Sequence, residues 1–353
     1  MKISEKMRKG YILALAAFLL LPCLKLLQVQ AAREIVLDQK CSLTVSVEIG
    51  GTAGSNEEFL EDFNRMTIPV SVYRVADVDI TGQKFSPTDA FQEMDLRGIG
   101  GNDLSVTAEM WQTLAEQADQ IQKAAKTEAS GTAVIQAAQG SGTAAQGKIT
   151  DLMPGLYLVV PEESYNPEYT VQYTFTPYLT ALPNSAYTVE GTGSDEWNYD
   201  TVIGLKPDAE PQSGRLNITK TLQNYNESLG QTTFVFRITG TDKNGDIKYE
   251  EVESMTYTAA GSNTITLEDI PAGLTVKVEE IYSGASYTAD GSKEETVLIA
   301  SDAAVAAGEE EASVTFRNRY NGGNRGGYGV KNHFESDGAG GWIWENPTSQ
   351  AGQ

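Results

Sequence analysis

The chain has 353 residues, 40% of them hydrophobic, and its 48 Asp and Glu residues outnumber its 26 Lys and Arg residues to give a net charge of −22. This length predicts more than one domain, and this composition is typical of a globular protein. The negative charge repels nucleic-acid phosphates and anionic membrane surfaces, so we predict no nucleic-acid partner.

Two residue counts limit the chemistry of the chain. It contains one histidine, His333, and two cysteines, Cys23 and Cys41. A zinc cluster or a Ser-His-Asp triad needs more of these side chains than the sequence provides. We therefore expect no metal, no cofactor and no turnover enzyme, although paired carboxylates keep an extracellular enzyme open as a third option.

The N-terminus predicts export. Four basic residues within the first nine precede a mostly apolar run from Tyr11 to Leu24, and Val29–Ala31 offers the small residues that a signal peptidase requires. A membrane anchor is the alternative, but Lys25 ends a run shorter than the ~20 residues of a spanning helix. We predict a signal peptide over residues 1–31 and a secreted protein, in which Cys41 has no second cysteine for a disulfide.

The next segment, residues 33–206, predicts a β domain that carries a helical insertion. Apolar residues between 104 and 126 recur at helical spacing, and Thr107 is placed to cap that helix. The low-complexity stretch 127–147 is rich in Ala, Gln, Gly, Ser and Thr, and we expect it to be surface rather than core. Alternation of apolar and polar residues predicts strands around 43–47, 68–72, 157–159 and 171–179.

Residues 207–214 are rich in turn formers and predict a linker to a second domain over 215–320, which a Gly-rich and aromatic tail, 321–353, follows. Asn244-Gly245 predicts a hairpin turn. Short strands at this spacing favour an antiparallel sandwich. The predicted strands are 216–222, 233–238, 247–252, 263–267, 274–280 and 313–320.

Three polar residues of the second domain occupy positions that strand alternation assigns to the core. They are Lys220, Glu280 and Asn318, each flanked at two-residue intervals by apolar residues. Burial favours the neutral forms of an amine and an acid, so the amine can attack the carboxamide carbon while Glu280 moves the protons. The alternative is a buried Lys-Glu ion pair with a hydrogen-bonded Asn, or strand ends that reach water.

The segments "LNITKTL", "IPAGLTVKVEE" and "VTFRNRY" that carry these residues resemble the collagen-adhesin B-type (Cna B) domain of Gram-positive surface proteins. The resemblance implies an intramolecular isopeptide bond between Lys220 and Asn318, with Glu280 as the catalytic acid. Glu279 takes that role if the strand register shifts by one residue. In the first domain Val47 stands where the lysine would be, so we expect no internal isopeptide bond there.

The segment "WNYDTVIGLKPDAEP" resembles the part of sortase-assembled pilins in which a lysine joins the next subunit, and "YTFTPYLTALPN" resembles the preceding part of such pilins. The resemblance implies that Lys206, nine residues after Trp197, is the linking lysine. Gly204-Leu205 and Thr201 depart from the pattern of that family. We expect Lys206 to be exposed and mobile, and an ordinary solvated lysine is the alternative.

Together these resemblances imply a mainly β chain of two tandem Ig-like or prealbumin-like antiparallel β-sandwich domains. They imply a pilin or fimbrial subunit at the cell surface or in the cell wall, with other pilin subunits and a sortase as partners. A surface adhesin is the alternative, with a host protein or glycan bound by the first domain and the second domain as a stalk. The ending "GGWIWENPTSQAGQ" contains no LPXTG-type sorting signal, which leaves truncation, an acceptor-only subunit and another route to the surface open.

Overall fold

The computed structural model describes residues 34–47, 57–99, 107–137, 145–185, 196–323, 333–336 and 342–345. The predicted signal peptide, 1–31, lies outside these ranges. Apart from Glu168–Thr170, the described residues before Pro211 form one compact unit, and those from Pro211 onward belong to a second. Among the described helices, none has the length and apolar content to span a bilayer.

The first unit contains two α-helices, α1 (Glu57–Phe63) and α2 (Ala108–Ala125), and a short 3-10 helix, Asp89–Phe91. Its strands are β1 (Cys41–Ser46), β2 (Ile68–Val78), β3 (Phe85–Pro87), β4 (Gly131–Ile135), β5 (Gln146–Leu152), β6 (Gly155–Pro161), β7 (Ser164–Tyr165), β8 (Val171–Phe175), β9 (Tyr178–Leu182), β10 (Asn184–Ser185), β11 (Trp197–Asn198), β12 (Asp200–Gly204) and β13 (Pro207–Pro211).

Strand β6 lies at the centre of this unit, and both of its faces are buried. The main sheet has the order β3-β2-β6-β9, with β4 paired to β2, and a second sheet has the order β12-β1-β5. On one face of β6, Tyr157 and Val159 join the core that also contains residues of β1. On the other face, Leu156 and Leu158 belong to a core with Ala115 and Ala118 of α2. The helical insertion therefore covers a sheet face that would otherwise expose leucines to water.

The predicted helix is confirmed, together with its cap. The Thr107 side chain accepts a hydrogen bond from the Met110 backbone N–H, and the helix ends at Ala125 before Lys126 adopts a left-handed conformation. Buried small residues alternate with half-buried large ones along its inner face, as the apolar spacing predicted.

The prediction that residues 127–147 lie at the surface is wrong for Ile135, Ala145 and Gly147, although most of the other described residues of that stretch are exposed or half-buried. Residues 131–135 form β4, and Ile135 and Ala145 are fully buried. The small residues of this stretch allow β4 and β5 to pack closely, because two strands can approach each other where bulky side chains are absent. A Cβ added at Gly147 would lie 2.9 Å from the Val134 carbonyl oxygen, closer than such atoms approach.

The predicted linker, 207–214, also contains regular structure. It includes β13 and the start of the next strand, at Ser213.

The second unit begins with β14 (Ser213–Leu222) and also contains a 3-10 helix, Glu227–Leu229. It continues with β15 (Thr232–Thr241), β16 (Ile247–Tyr257), β17 (Gly261–Pro271), β18 (Thr275–Tyr282), β19 (Tyr287–Ala289), β20 (Glu294–Leu298), α3 (Asp302–Ala306) and β21 (Ala312–Tyr320). Strands β22 (His333–Ser336) and β23 (Trp342–Glu345) pair as an antiparallel hairpin within the tail.

Two four-stranded sheets, with the orders β17-β14-β21-β19 and β16-β15-β18-β20, form the second unit. All six strands predicted for this unit are present, and the Asn244-Gly245 turn connects β15 to β16. One pairing differs from the antiparallel prediction, since β14 and β21 run parallel to each other. The predicted class is confirmed in that the chain is mainly β and each unit contains packed sheets with mostly antiparallel pairing, although β1 and β12 of the first unit also run parallel.

The helix cap generates a prediction about stability. Replacing Thr107 by Ala removes the acceptor for the Met110 N–H, which should lower the free energy of unfolding of the first unit by about 1 kcal/mol. Urea unfolding followed by circular dichroism measures the change. Thr113→Ala is the control, because Thr113 is an exposed mid-helix residue whose hydroxyl donates to the Glu109 carbonyl, and alanine favours helix there. Equal losses in both variants would contradict the capping role.

Candidate functional site

The site predicted in the second unit is assembled from three strands of two sheets. Lys220 lies on β14 and Asn318 on the neighbouring parallel strand β21, where Leu222 is the direct partner of Asn318. Glu280 lies on β18, in the opposite sheet. Strand alternation directs all three side chains into the space between the sheets, because each continues the inward-facing apolar positions of its strand.

The three side chains are in direct contact. The Lys220 ammonium group donates to Glu280 Oε1 at 2.7 Å and to Asn318 Oδ1 at 2.6 Å. The Asn318 amide nitrogen donates to the same Glu280 Oε1 at 2.8 Å and to the Ser283 carbonyl oxygen at 3.4 Å. Lys220 and Asn318 are both 0% exposed and Glu280 is 4% exposed, so the contact is shielded from water.

Aromatic rings surround the amine. The Lys220 Nζ atom lies 4.6 Å from the centre of the Phe234 ring and 5.7 Å from that of Phe236. The Tyr257 hydroxyl donates to the Lys220 carbonyl oxygen and so fixes the backbone that carries the amine. Burial among these groups lowers the pKa of Lys220 from its ordinary value of 10.5, against the opposing effect of the contact with Glu280. The neutral, nucleophilic form of the amine is therefore favoured more than it is in water.

The two oxygens of Glu280 differ in their surroundings. Oε1 accepts from both Lys220 and Asn318, whereas Oε2 is buried without a hydrogen-bond partner among the described residues. A buried unpartnered oxygen is costly in a purely structural ion pair. With one oxygen touching both nitrogens, the carboxyl group is able to take a proton from the amine and deliver it to the carboxamide nitrogen.

The alternative acid, Glu279, lies outside this contact. It points away from the core and forms an ion pair with Arg237 at 2.5 Å. Both side chains are partly exposed, at 31% and 42%. The one-residue register shift that would have exchanged Glu279 for Glu280 is therefore absent from β18.

Lys206 is less accessible than its place in a predicted linker implies. It lies between β12 and β13, is half-buried, and its Nζ atom is 5.0 Å from the centre of the Tyr178 ring. The Tyr178 hydroxyl donates to the Gly204 carbonyl oxygen, and the Thr176 N–H donates to the Lys206 carbonyl oxygen. Burial lowers the pKa of Lys206. The structure therefore differs from the expectation of an exposed lysine in a linker: Lys206 is half-buried, and the segment that follows it is a strand.

The first unit has no equivalent lysine at the corresponding position, where Val47 is buried at 2% exposure. Cys41 is also buried, and burial together with the nearby charge of Asp200 raises the pKa of its thiol to about 11. A thiol with this pKa is a poor nucleophile at neutral pH. Within the described ranges, no group of three or more His, Cys, Asp or Glu side chains is arranged to hold a metal ion.

Several contributors to the site were not identified from the sequence. Phe234, Phe236 and Tyr257 follow the alternation of ordinary core residues and carry no sign that they surround an amine. Ser283 contributes through its backbone carbonyl, which any residue type supplies. Only the packing of one sheet on the other brings these groups to Lys220.

Residues 216–321 match a family model described as "Domain of unknown function (DUF5979)". This match coincides with the sandwich of the second unit and therefore includes all three residues of the site. No curated protein matches the chain.

Several solved structures are similar to this chain. The chain is similar to Gram-positive pilins. A streptococcal ancillary pilin is 12% identical, with coverage of 80% of this chain and 69% of that one and a TM-score of 0.26. The SpaE basal pilin from Lactobacillus rhamnosus GG is 13% identical, with coverage of 79% and 100% and a TM-score of 0.28. The major pilin SpaD from Corynebacterium diphtheriae is 12% identical, with coverage of 82% and 100% and a TM-score of 0.25. At these scores the superpositions are loose, and they assign no role to any residue.

The lowered pKa of Lys220 predicts how stability depends on pH when the amine is kept free. In an Asn318→Ala variant, the unfolded chain binds more protons than the folded chain between the lowered pKa and 10.5. The free energy of unfolding should therefore rise with pH in that window, by at most about 1.4 kcal/mol per pH unit, and this contribution should be absent below the lowered pKa.

Urea unfolding of the Asn318→Ala chain from neutral pH to about pH 10 measures this rise. The Lys220→Met/Asn318→Ala double variant is the control, since it lacks the amine but keeps every other titrating group. The same slope in both chains would show that Lys220 does not cause the rise.

Proposed function

We propose that this chain is a secreted structural subunit of a Gram-positive surface pilus, and that its second unit is locked by an isopeptide bond between Lys220 and Asn318. The observation that carries the proposal is the buried three-way contact, in which Glu280 Oε1 lies within 2.8 Å of both nitrogens that must exchange a proton. The similarity to pilins agrees with this role without establishing it.

The reaction requires one new bond and releases one small molecule. Glu280 Oε1 takes a proton from the Lys220 ammonium group, and the neutral amine attacks the side-chain carbonyl carbon of Asn318. Oε1 then gives its proton to the departing amide nitrogen and takes a second proton from Nζ. The Nζ–Cγ bond forms, the Cγ–Nδ2 bond breaks, and ammonia leaves. Glu280 ends protonated, and the chain performs the reaction once.

An ordinary buried ion pair explains the geometry less well. A lysine held for structural reasons is expected to have each partner's polar atoms satisfied, whereas Glu280 Oε2 has no partner among the described residues. The second acceptor of Lys220 is a neutral carboxamide, which places the amine beside an electrophilic carbon. The aromatic surroundings also disfavour the charged amine by desolvation more strongly than a polar pocket would.

The bond would connect residues 98 positions apart in the sequence. By analogy with a disulfide that closes a loop of this size, it would restrict the unfolded chain by about 4 to 5 kcal/mol. It would join the first and last long strands of the unit, β14 and β21, which are parallel neighbours in one sheet. A pulling force applied at the two ends of the unit would then pass through a covalent bond instead of a ladder of hydrogen bonds.

Intact-mass measurement of the chain without its signal peptide tests the bond. The wild-type mass should be short by one ammonia, whereas Lys220→Ala and Glu280→Ala should have their full sequence masses. Glu279→Gln is the matched control, because it changes the neighbouring glutamate, which faces Arg237 and not the core. It should lose ammonia as the wild type does. Full sequence mass in the wild type would exclude the bond and leave an ordinary ion pair.

For assembly, we propose that Lys206 is the amine that a sortase joins to the next subunit. Its half-buried position beside Tyr178 fixes the amine, and burial shifts it toward the nucleophilic form. The same burial makes the Lys206 amine less accessible. An enzyme that uses this amine must therefore bind the β12–β13 segment closely enough to reach it.

A Lys206→Ala strain tests this role. Polymers that survive boiling in detergent should be present with the wild-type chain and absent with the variant. Lys84→Ala, which removes an exposed lysine of the same unit, should leave the polymers unchanged. Monomers alone in the wild type would support the surface-adhesin alternative, which saturable binding of a host protein or glycan by the first unit would then establish.

A further inference from the structure

The outward face of the sheet β17-β14-β21 is an ordered array of hydroxyl and amide groups. On these strands most of the residues that alternate with the buried core positions are Thr, Ser or Asn, and the others include the charged residues Arg215, Glu268, Arg317 and Arg319. Strand pairing places them in three rows across the sheet. The rows are Thr266–Asn217–Ser313, Thr264–Thr219–Thr315 and Ser262–Thr221–Arg317, and we call them the hydroxyl face.

Direct hydrogen bonds connect the first two strands in every row. The Thr219 and Thr264 hydroxyls lie 2.8 Å apart, and the Thr221 and Ser262 hydroxyls are also 2.8 Å apart. In the remaining row, Thr266 donates to the side-chain oxygen of Asn217 at 2.6 Å. These contacts hold the groups in position, and because a hydroxyl has one donor and two acceptor sites, each keeps capacity for an external partner.

Two arginines stand at one end of this face. Arg317 and Arg319 are exposed on β21, and neither forms an ion pair with another described residue. Asp290 is near, with its N–H bound to the Arg317 carbonyl oxygen, but its carboxylate accepts from Gln223. Two unpaired guanidinium groups are unusual on a chain whose net charge is −22.

The other charges near the hydroxyl face lie at its opposite end. Glu311 accepts from the Asn217 amide at 2.9 Å, and Glu268 follows Thr266 by two positions on β17. The outward face of the second sheet differs, since its cations are neutralised by the ion pairs Arg237–Glu279 and Lys277–Glu294. The hydroxyl face is therefore uncharged along its middle, positive at the end where Arg317 and Arg319 lie, and negative at the opposite end, where Arg215 is paired with Asp302.

We propose that the hydroxyl face binds an anionic polysaccharide, with sugar hydroxyls on the Thr, Ser and Asn rows and a carboxylate or phosphate group on Arg317 and Arg319. A guanidinium group binds either anion with two parallel hydrogen bonds. The three rows extend over about 13 Å along the strands and about 10 Å across them, which suits a segment of several sugars rather than a single one.

A polysaccharide fits this face better than a protein does. Protein interfaces depend on buried aromatic or aliphatic anchors at their centre, and the three rows contain no apolar residue. The carboxylates of an acidic protein could pair with Arg317 and Arg319 at one end of the face, but the rest of the face would offer them only hydroxyl and amide groups. A sugar chain offers hydroxyl groups along its whole length and charges at intervals, which matches the distribution on the face.

Retention of the full chain on immobilised polygalacturonate at physiological ionic strength tests the proposal, with dextran as the neutral polysaccharide and polyglutamate as the acidic peptide. Polygalacturonate should retain the chain, and dextran and polyglutamate should not. Arg317→Gln and Arg319→Gln should each weaken binding about tenfold, because each removes a charged hydrogen-bonding group. Lys243→Gln, which removes an exposed cation from the β15–β16 turn, is the charge control and should bind as the wild type does.

The hydroxyl rows require their own variant. Thr219→Val/Thr264→Val keeps the shape of both side chains and should weaken binding about tenfold, while the thermal unfolding midpoint stays close to that of the wild type. Equal retention on polyglutamate would show a plain positive patch and overturn the proposal. Retention that is insensitive to the arginine and threonine variants, or no retention on polygalacturonate, would also overturn it. None of these outcomes depends on whether Lys220 and Asn318 are linked or whether Lys206 is used for assembly.

Discussion

The contact among Lys220, Glu280 and Asn318 depends on the register of both sheets in the second unit. A shift of one residue in any of the three strands would turn its polar side chain to the solvent face and place an outward residue in the core. The rest of the sandwich maintains that register, through long ladders between β14 and β17 and between β15 and β16. The Lys220 amine is thus kept beside the Asn318 carboxamide by packing that is itself ordinary.

The same contact sets the energetic balance of the core. Burial of an amine and an acid is unfavourable in isolation, and their mutual hydrogen bonds offset that cost only in part. The aromatic rings of Phe234 and Phe236 add attraction to the charged amine but also remove water from it. A covalent bond that expels ammonia would remove the amine charge from the core, which gives the unit a thermodynamic reason to react.

The two faces of the sheet β17-β14-β21 carry different kinds of side chain. The inward residues of β14 and β21 carry the site, while the outward residues between them form the hydroxyl face. Thr219 and Thr221 flank Lys220, and Arg317 and Arg319 flank Asn318, so a cross-link inside would fix the spacing of the rows outside.

The sequence by itself determined six of the eight strands in the two sheets of the second unit, with β19 and β20 missed, the helix cap at Thr107 and the inward placement of Lys220, Glu280 and Asn318, because alternation and capping are local patterns of two to four residues. It did not determine the parallel pairing of β14 with β21, the close packing of β4 and β5, or the half-buried position of Lys206. These depend on contacts between residues far apart in the chain, as do the rings around the amine. Only the tertiary structure determines these features, because a local sequence pattern does not specify which distant strand a segment will pack against.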